Sequence, residues 1–184
     1  DPEAAEKIFL QLSAFADFGF AESHAASFAL LVYVSAYLKV YYPLEFYCSL
    51  LNAQPMGFYT TATIVNDMKR QGIATEAVDV LKSRWACTVD GDMVRLGFRY
   101  IKSLGEMAKE QIAKAQNEQL FTLIKDFVFR TGLDRQELTQ LAMADAFRSF
   151  GVSRRQALWE ILSLISQSPE ELDIKKPPQI LDED

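Results

Sequence analysis

The only histidine of the chain, His24, follows Ser23 where residues 17–22 lead into a long apolar stretch. A serine here can cap a helix, its side-chain oxygen accepting a hydrogen bond from a free N–H group of the first turn. Together with the positive end of the helix dipole, these N–H groups suit an anion such as a triphosphate. A lone histidine beside an apolar helix is also common as a purely structural residue, so both interpretations stay open.

A second candidate site lies at residues 101–108, IKSLGEMA, which lead into a predicted helix. They resemble the first half of a helix-hairpin-helix, with the pattern apolar-x-apolar-Gly-apolar-Gly before a helix, whose backbone N–H groups bind a DNA phosphate without reading a base. Ser103 replaces the first glycine, which predicts an altered turn. An ordinary corner between two helices explains the same pattern without a ligand. The candidate DNA-binding residues are Arg99, Lys102, Ser103, Gly105 and Lys109.

The pattern returns in weaker form at residues 141–147, LAMADAF, before a serine and two arginines. No glycine stands at this turn, so we expect it to pack against the protein instead of approaching a phosphate closely. Arg148, Arg154 and Arg155 could still line a surface that faces DNA. A solvated charged face is the alternative interpretation of these three arginines.

Charge is unevenly distributed along the 184 residues. The net charge of −6 argues against nucleic-acid binding over the whole surface, yet eleven basic residues stand against seven acidic ones from Arg95 to Arg155. The last residues are acidic and lack apolar periodicity, which predicts a linker or tail. Cys48 and Cys87 lack CxxC spacing, so we expect buried free thiols in a reducing cytoplasm.

Apolar periodicity predicts a mainly α fold with one small β-hairpin. An Asp-Gly-Asp turn at residues 90–92 between two short alternating runs predicts the hairpin, with a short extended piece at 77–80. We expect a helical domain that includes the small β-hairpin over residues 1–98, a tandem helix-hairpin-helix-like domain over 99–167 and an acidic tail over 168–184. Helices are predicted at 2–16, 25–39, 44–51, 63–71, 106–116, 121–131, 135–143 and 154–165. Thr63, Asp134 and Ser153 are the predicted N-caps of three of them.

The predicted helix at residues 25–39 is apolar on every face, which favours a place in a protein core. Its apolar run is shorter than a bilayer requires and carries Tyr33, Tyr37 and Lys39. We therefore expect a buried helix of a soluble protein and no membrane contact.

A longer similarity follows the chain from Phe15 to Ile165. The motif GF-x-x-SHAA-x-x-A, which begins at Gly19, is followed by LK, YP-x-EF and an LLN end. Together they resemble the fingers domain of bacterial C-family DNA polymerases, the DNA polymerase III alpha subunits. NAQPMGFY at residues 52–59 and ADAF at 144–147 are similar to the error-prone, ImuC-type branch. An Ala-Glu pair before SHAA replaces the Asn-Lys pair of the high-fidelity branch, which removes one positive charge.

This resemblance implies that Gly19, Ser23 and His24 contact an incoming dNTP, and that the hairpins grip duplex DNA behind the active site. It also implies a parent enzyme for translesion DNA synthesis in the bacterial cytoplasm, associated with the nucleoid. That parent would use Mg²⁺ held by palm carboxylates, a sliding clamp and an ImuB-type partner.

We expect no catalytic residue, metal ligand or cofactor in this stretch. The pair Asp90 and Asp92 has the spacing of metal-binding carboxylates but belongs to a predicted turn, and it lies downstream of the fingers motif. The abrupt start of the chain predicts an excised piece of such a polymerase, inactive alone. The alternative is a non-catalytic helical protein-interaction module.

Overall fold

The computed structural model describes residues 2–18 and 22–166. This part of the chain holds eight α-helices, three short strands and two 3-10 turns, so the prediction of a mainly α fold is confirmed. The helices are α1 (Pro2–Phe18), α2 (Glu22–Tyr41), α3 (Pro43–Asn52), α4 (Thr61–Arg70), α5 (Glu106–Glu118), α6 (Ile124–Thr131), α7 (Arg135–Met143) and α8 (Arg154–Ser166). The strands are β1 (Ala74–Glu76), β2 (Thr88–Asp90) and β3 (Met93–Arg95).

The chain divides into two compact units, one ending at Tyr47 and the other beginning at Cys48. The first unit contains α1, α2 and the start of α3. Tyr47 is the only buried residue among its described side chains. The expected domain division at residues 98 and 99 stays a prediction.

Helix α2 is the main difference between expectation and structure in the first unit. The prediction that it is buried is wrong for this chain, because apolar side chains around its circumference, such as Leu31, Tyr33 and Val40, are exposed. Segment Ser23–Tyr41 is also long and apolar enough to cross a membrane, so the expectation that it is too short is wrong as well. Length and composition alone support that possibility, and core helices of soluble proteins meet the same criterion.

The three strands of the second unit form one small sheet in the order β1-β3-β2. The predicted hairpin is confirmed: β2 and β3 pair antiparallel, with Gly91 at φ 63° in the turn. Strand β1 pairs parallel with β3 and was not predicted. It occupies Ala74–Glu76, so the expected extended piece at 77–80 was placed a few residues too late.

The core of the second unit is formed mainly by α5 to α8 and the segment before them. Phe127 and Phe147 are fully buried and meet edge to face, with ring centroids 5.4 Å apart. Asp79 is buried as well, and its carboxylate accepts hydrogen bonds from Leu81 N at 2.9 Å and Ser149 Oγ at 2.5 Å. A buried carboxylate with both oxygens satisfied fixes the segment around residue 79 against the turn before α8.

Helix boundaries follow local capping chemistry where a cap is present. Asp134 and Glu137 form a reciprocal capping box at the start of α7, as the sequence predicted for Asp134. The cap of α4 is Thr60 instead of the predicted Thr63, whose N–H donates to Thr60 Oγ1. Thr60 lies one residue before the helix and has extended backbone angles, which is the geometry a cap requires.

The second predicted hairpin packs, as expected, but its turn is longer than the sequence suggested. Helix α7 ends at Met143, Asp145 takes a left-handed conformation at φ 62°, and Ala146 and Phe147 are fully buried. A 3-10 turn (Arg148–Phe150) then leads to Gly151 and α8. The glycine missing from residues 141–147 is therefore supplied later, at Gly151, where φ is 77°.

Candidate nucleic-acid interface

Three corners in the second unit share one backbone pattern. Each has a residue in the left-handed region, then an apolar residue, then the N-cap of a helix. The left-handed residues are Ser103 (φ 73°), Gly132 (φ 61°) and Gly151 (φ 77°), and they precede α5, α7 and α8. The corner before α5 contains the residues predicted as the first hairpin.

Ser103 takes the left-handed conformation that a glycine would adopt without strain. Its hydroxyl accepts a hydrogen bond at 2.9 Å from Gln136 Nε2 of α7. This bond holds the turn in a conformation that non-glycine residues seldom adopt. The turn is therefore formed despite the serine, and Gln136 is a supporting residue that the sequence pattern did not reveal.

The three corners differ in how the helix start is capped. Side chains close two of them: Asp134 accepts from Glu137 N at 2.8 Å, and Ser153 Oγ accepts from Gln156 N at 3.4 Å. Gly105 at the start of α5 has no side chain to do this. The N–H groups in the first turn of α5 have no acceptor within the helix, and they lie at the positive end of the helix dipole. Of the three corners, this one is therefore suited to bind an anion.

Space is available at the start of α5. A Cβ atom at Gly105 would meet no other atom within 4 Å. Lys102 and Met107 beside it are exposed. The ammonium group of Lys109 pairs with Glu106, which offsets part of its charge. Of the two lysines predicted to contact DNA, Lys102 is therefore the more available.

Arg99, also predicted to contact DNA, is bound to the protein itself. Its Nη1 donates to the carbonyl of Asn52 at 2.7 Å and its Nη2 to that of Gln54 at 2.5 Å. The neighbouring Tyr100 donates its hydroxyl hydrogen to Leu51 O at 2.6 Å. These carbonyls belong to the end of α3 and the loop after it, where a cation complements the negative end of the helix dipole.

The end of α3 is held on a second side by Asn52. Its side chain accepts from Cys87 N at 2.8 Å and donates to Cys87 O at 2.9 Å. Sequence reasoning did not single out Asn52 or Tyr100 for this role. No local signal could reveal it, because the partners lie 35 and 49 positions away in the sequence.

Burial also affects two ionisable groups beside this end of α3. It raises the pKa of the Cys87 thiol above its ordinary value of 9.0, and the nearby Cys48 adds to the shift. Burial likewise raises the pKa of the Tyr100 phenol. Both cysteines are buried free thiols, which confirms the sequence prediction.

The three remaining arginines that were predicted to contact DNA differ in their surroundings. Arg148 pairs with Glu76, which also lies 3.7 Å from buried Arg95. Arg154 and Arg155 are exposed at the start of α8, with the Arg155 guanidinium 5.9 Å from the centre of the Trp159 ring. The structure thus leaves the α8 arginines open to solvent and engages Arg148 in an ion pair.

In the first unit, Ser23 and His24 are exposed in the first turn of α2. The helix begins at Glu22, so the prediction that Ser23 is its N-cap is wrong. Its carbonyl accepts a hydrogen bond from Ser27 Oγ at 2.8 Å, and the His24 ring packs on Phe28 with centroids 4.4 Å apart. Gly19, the third residue predicted to contact a nucleotide, lies outside the described residues.

The described residues do not fit a Mg²⁺ site. Among residues 2–18 and 22–166, no three His, Cys, Asp or Glu side chains are grouped to hold a metal ion. Asp90, which has metal-site spacing with Asp92, instead accepts from Arg95 Nη2 at 2.7 Å. Its carboxylate therefore serves the hairpin, and no catalytic step is assigned to it.

Comparison with known proteins relates the three corners to a known motif. The sequence profile of the helix-hairpin-helix motif matches residues 72–157. An error-prone DNA polymerase of Mesorhizobium japonicum is 43% identical over 91% of this chain and 17% of its own length. Error-prone DNA polymerase 3 of Agrobacterium fabrum is 45% identical, over 89% of the chain and 16% of that protein. The chain is homologous to a segment of error-prone DNA polymerases.

Another error-prone DNA polymerase, from Bdellovibrio bacteriovorus, is 44% identical over 90% of the chain and 16% of its own length. The chain spans about a sixth of the length of these error-prone polymerases. The expected resemblance to error-prone DNA polymerases is confirmed. Because the matches cover nearly the whole chain, both compact units have counterparts in error-prone DNA polymerases.

Proposed function

We propose that this segment of the error-prone DNA polymerase family binds the backbone of duplex DNA through the corner between Lys102 and Glu106. The observation that carries the proposal is the uncapped start of α5 at Gly105, with Ser103 in the left-handed conformation before it. Backbone N–H groups at such a corner can bind a phosphate, and Lys102 adds a positive charge. Binding of this kind is independent of base sequence.

We further propose that Ser23, His24 and Gly19 contact the incoming nucleotide and template in the whole polymerase. The exposed position of Ser23 and His24 in the first turn of α2 supports this role. The whole enzyme would carry out DNA-directed synthesis across damaged template in the bacterial cytoplasm, at the nucleoid. Mg²⁺, a sliding clamp and an ImuB-type partner would act at other parts of that enzyme. We expect this segment not to polymerise alone, since among its described residues no three His, Cys, Asp or Glu side chains are grouped to hold a metal ion.

Salt-dependent DNA binding tests the proposed phosphate site. Fluorescence anisotropy of a labelled blunt duplex is measured across a salt series with wild type, Lys102→Ala and Lys109→Ala. We expect wild-type affinity to fall steeply with salt, and the slope of log K against log salt to decrease by about one for Lys102→Ala. Lys109→Ala should have the smaller effect, since Glu106 already offsets its charge.

A second variant separates loss of binding from loss of folding. Gly105→Asp places a carboxylate at the N-cap, where it satisfies the first-turn N–H groups and repels a phosphate. We expect this variant to be at least as stable as wild type and to bind DNA more weakly. Lys114→Ala, an exposed lysine further along α5, is the matched control and should bind as wild type does. Unchanged binding by both Gly105→Asp and Lys102→Ala would contradict the proposed site.

A cavity with a partly apolar lining supports the alternative function of a non-catalytic protein-interaction module. The cavity, of about 330 Å³, is lined by residues that include Leu123, Phe150, Val152 and Glu160. Leu123 and nearby Leu120 are exposed. An apolar segment of another protein could occupy this surface. Absence of wild-type DNA binding at low salt would favour this alternative over the phosphate site.

A further inference from the structure

Two adjacent aromatic side chains project from the loop between α3 and α4. The Phe58 side chain is 94% exposed and that of Tyr59 60% exposed. A nearly fully exposed phenylalanine beside an exposed tyrosine is a surface suited to stacking against another flat ring.

Hydrogen bonds within the loop hold this aromatic pair in place. Gln54 Nε2 donates to Tyr59 O at 3.0 Å, and Gln54 Oε1 accepts from Met56 N at 3.1 Å. Thr60, directly after the pair, is fixed as the N-cap of α4. The two rings therefore project from a loop whose backbone is held by hydrogen bonds.

The aromatic loop is anchored to the residues that lead into the first hairpin. Arg99 donates to Gln54 O at 2.5 Å, and Tyr100 donates to Leu51 O at 2.6 Å. Lys102 and Ser103 follow two and three residues after Tyr100. The start of the loop is therefore bonded to the segment that leads into the corner proposed to bind phosphate.

The chemistry of the loop suits a nucleic acid. No acidic residue occurs between Phe46 and Asn66, so no carboxylate of this segment would repel a phosphate backbone. Within a duplex both faces of each base are already stacked, whereas an unpaired base can stack on an aromatic side chain. The complementary ligand is thus an unpaired base next to a duplex.

We propose that Phe58 and Tyr59 form a stacking site for an unpaired DNA base beside the duplex held at the first hairpin. This inference rests on the proposed function and adds a ligand class that phosphate binding does not require. Stacking does not depend on base identity, since every base presents a π-face. The site would therefore hold the single-stranded side of a junction whatever its sequence.

Two DNA probes test the stacking site separately from the phosphate site. One is a blunt duplex, and the other is the same duplex with a short single-stranded extension carrying 2-aminopurine. We expect Phe58→Ala/Tyr59→Ala to weaken binding of the extended probe by about 5- to 100-fold and to leave blunt-duplex binding unchanged. Wild type should quench 2-aminopurine fluorescence by stacking, and the variant should not.

Matched variants distinguish stacking from apolar contact. Phe58→Trp should keep binding and quenching, whereas Phe58→Leu should lose quenching although it remains apolar. Val89→Ala, which changes an exposed apolar residue elsewhere in the unit, should change neither measurement.

The outcomes also separate this inference from the proposed function. Equal binding of the extended probe by wild type and the double alanine variant would overturn the stacking site, and would leave the phosphate site intact if Lys102→Ala still weakened blunt-duplex binding. Failure of wild type to bind either probe at low salt would overturn both. If the double alanine variant lost the same affinity for both probes, Phe58 and Tyr59 would contribute to folding or to general DNA contact, and the stacking site would be overturned.

Discussion

The guanidinium of Arg99 donates to the main-chain carbonyl of Asn52 over 2.7 Å, joining residues 47 positions apart in the sequence. Asn52 in turn pairs through its side chain with the backbone of Cys87. The C-terminal end of α3 is thus held both by the guanidinium of Arg99 and by the side-chain amide of Asn52. This relationship assigns Arg99 a structural role even though it lies in the basic part of the chain.

Arg99→Ala should lower the free energy of unfolding by about 1.5–3 kcal/mol, because it leaves the carbonyls of Asn52 and Gln54 without their charged donor. Urea denaturation followed by circular dichroism measures the change. Lys102→Ala, three residues away and exposed, should alter stability by less than about 0.5 kcal/mol. A stable Arg99→Ala protein with weakened DNA binding would instead make Arg99 a DNA ligand.

Gly97→Ala should be strongly destabilising. A Cβ atom there would lie 2.3 Å from the carbonyl oxygen of Trp85 and 2.4 Å from the carbonyl carbon of Ala86. Main-chain atoms cannot rotate away as a side chain can, so we expect a cost of about 3 kcal/mol. Thermal denaturation provides the measurement. Gly57→Ala is the control, since its Cβ would meet nothing within 4 Å, and equal melting temperatures for the two variants would contradict the close packing.

Gly132→Ala should destabilise by about 1 kcal/mol through backbone strain alone. Gly132 has φ 61°, and the closest contact of an added Cβ would be a side-chain nitrogen 3.9 Å away. The cost therefore comes from placing a β-carbon in the left-handed region. Gly105→Ala, at φ −108° and with open space around it, should cost less than about 0.5 kcal/mol. Chemical denaturation of both variants compares the two backbone conformations.

Stability should fall in alkaline solution because of Cys87. Burial raises the pKa of its folded thiol above 9.0, so the folded state holds the proton more tightly than the unfolded state does. The contribution is complete below the unfolded pKa and is lost as pH rises through the folded pKa. Denaturation at about pH 8 and about pH 9.5 should show a larger loss for wild type than for Cys87→Ala. The same pH dependence in both proteins would assign the loss to other groups, of which Tyr100 is one.

Local features were readable from the sequence. The start of α7 at Arg135 follows from Asp134 and Glu137, which are three residues apart and cap the helix reciprocally. The hairpin of β2 and β3 follows from Gly91 in an Asp-Gly turn. The extended similarity to error-prone DNA polymerases was also visible in the order of its motifs. A cap and a turn depend on residues a few positions apart, and the order of motifs is a property of the sequence itself. These features can therefore be predicted without knowledge of tertiary contacts.

Long-range partners were decided only when the chain folded. Strand β1 pairs with β3 through residues 19 positions apart in register, such as Glu76 and Arg95, and its short sequence carries no strand signal strong enough to predict this. Arg148 belongs to a basic stretch, yet it pairs with Glu76, 72 positions away. Composition counts charges, whereas a salt bridge depends on which side chains the backbone brings within reach. Burial is likewise decided by neighbours, so α2 has the composition of a core helix while its side chains are exposed in this chain.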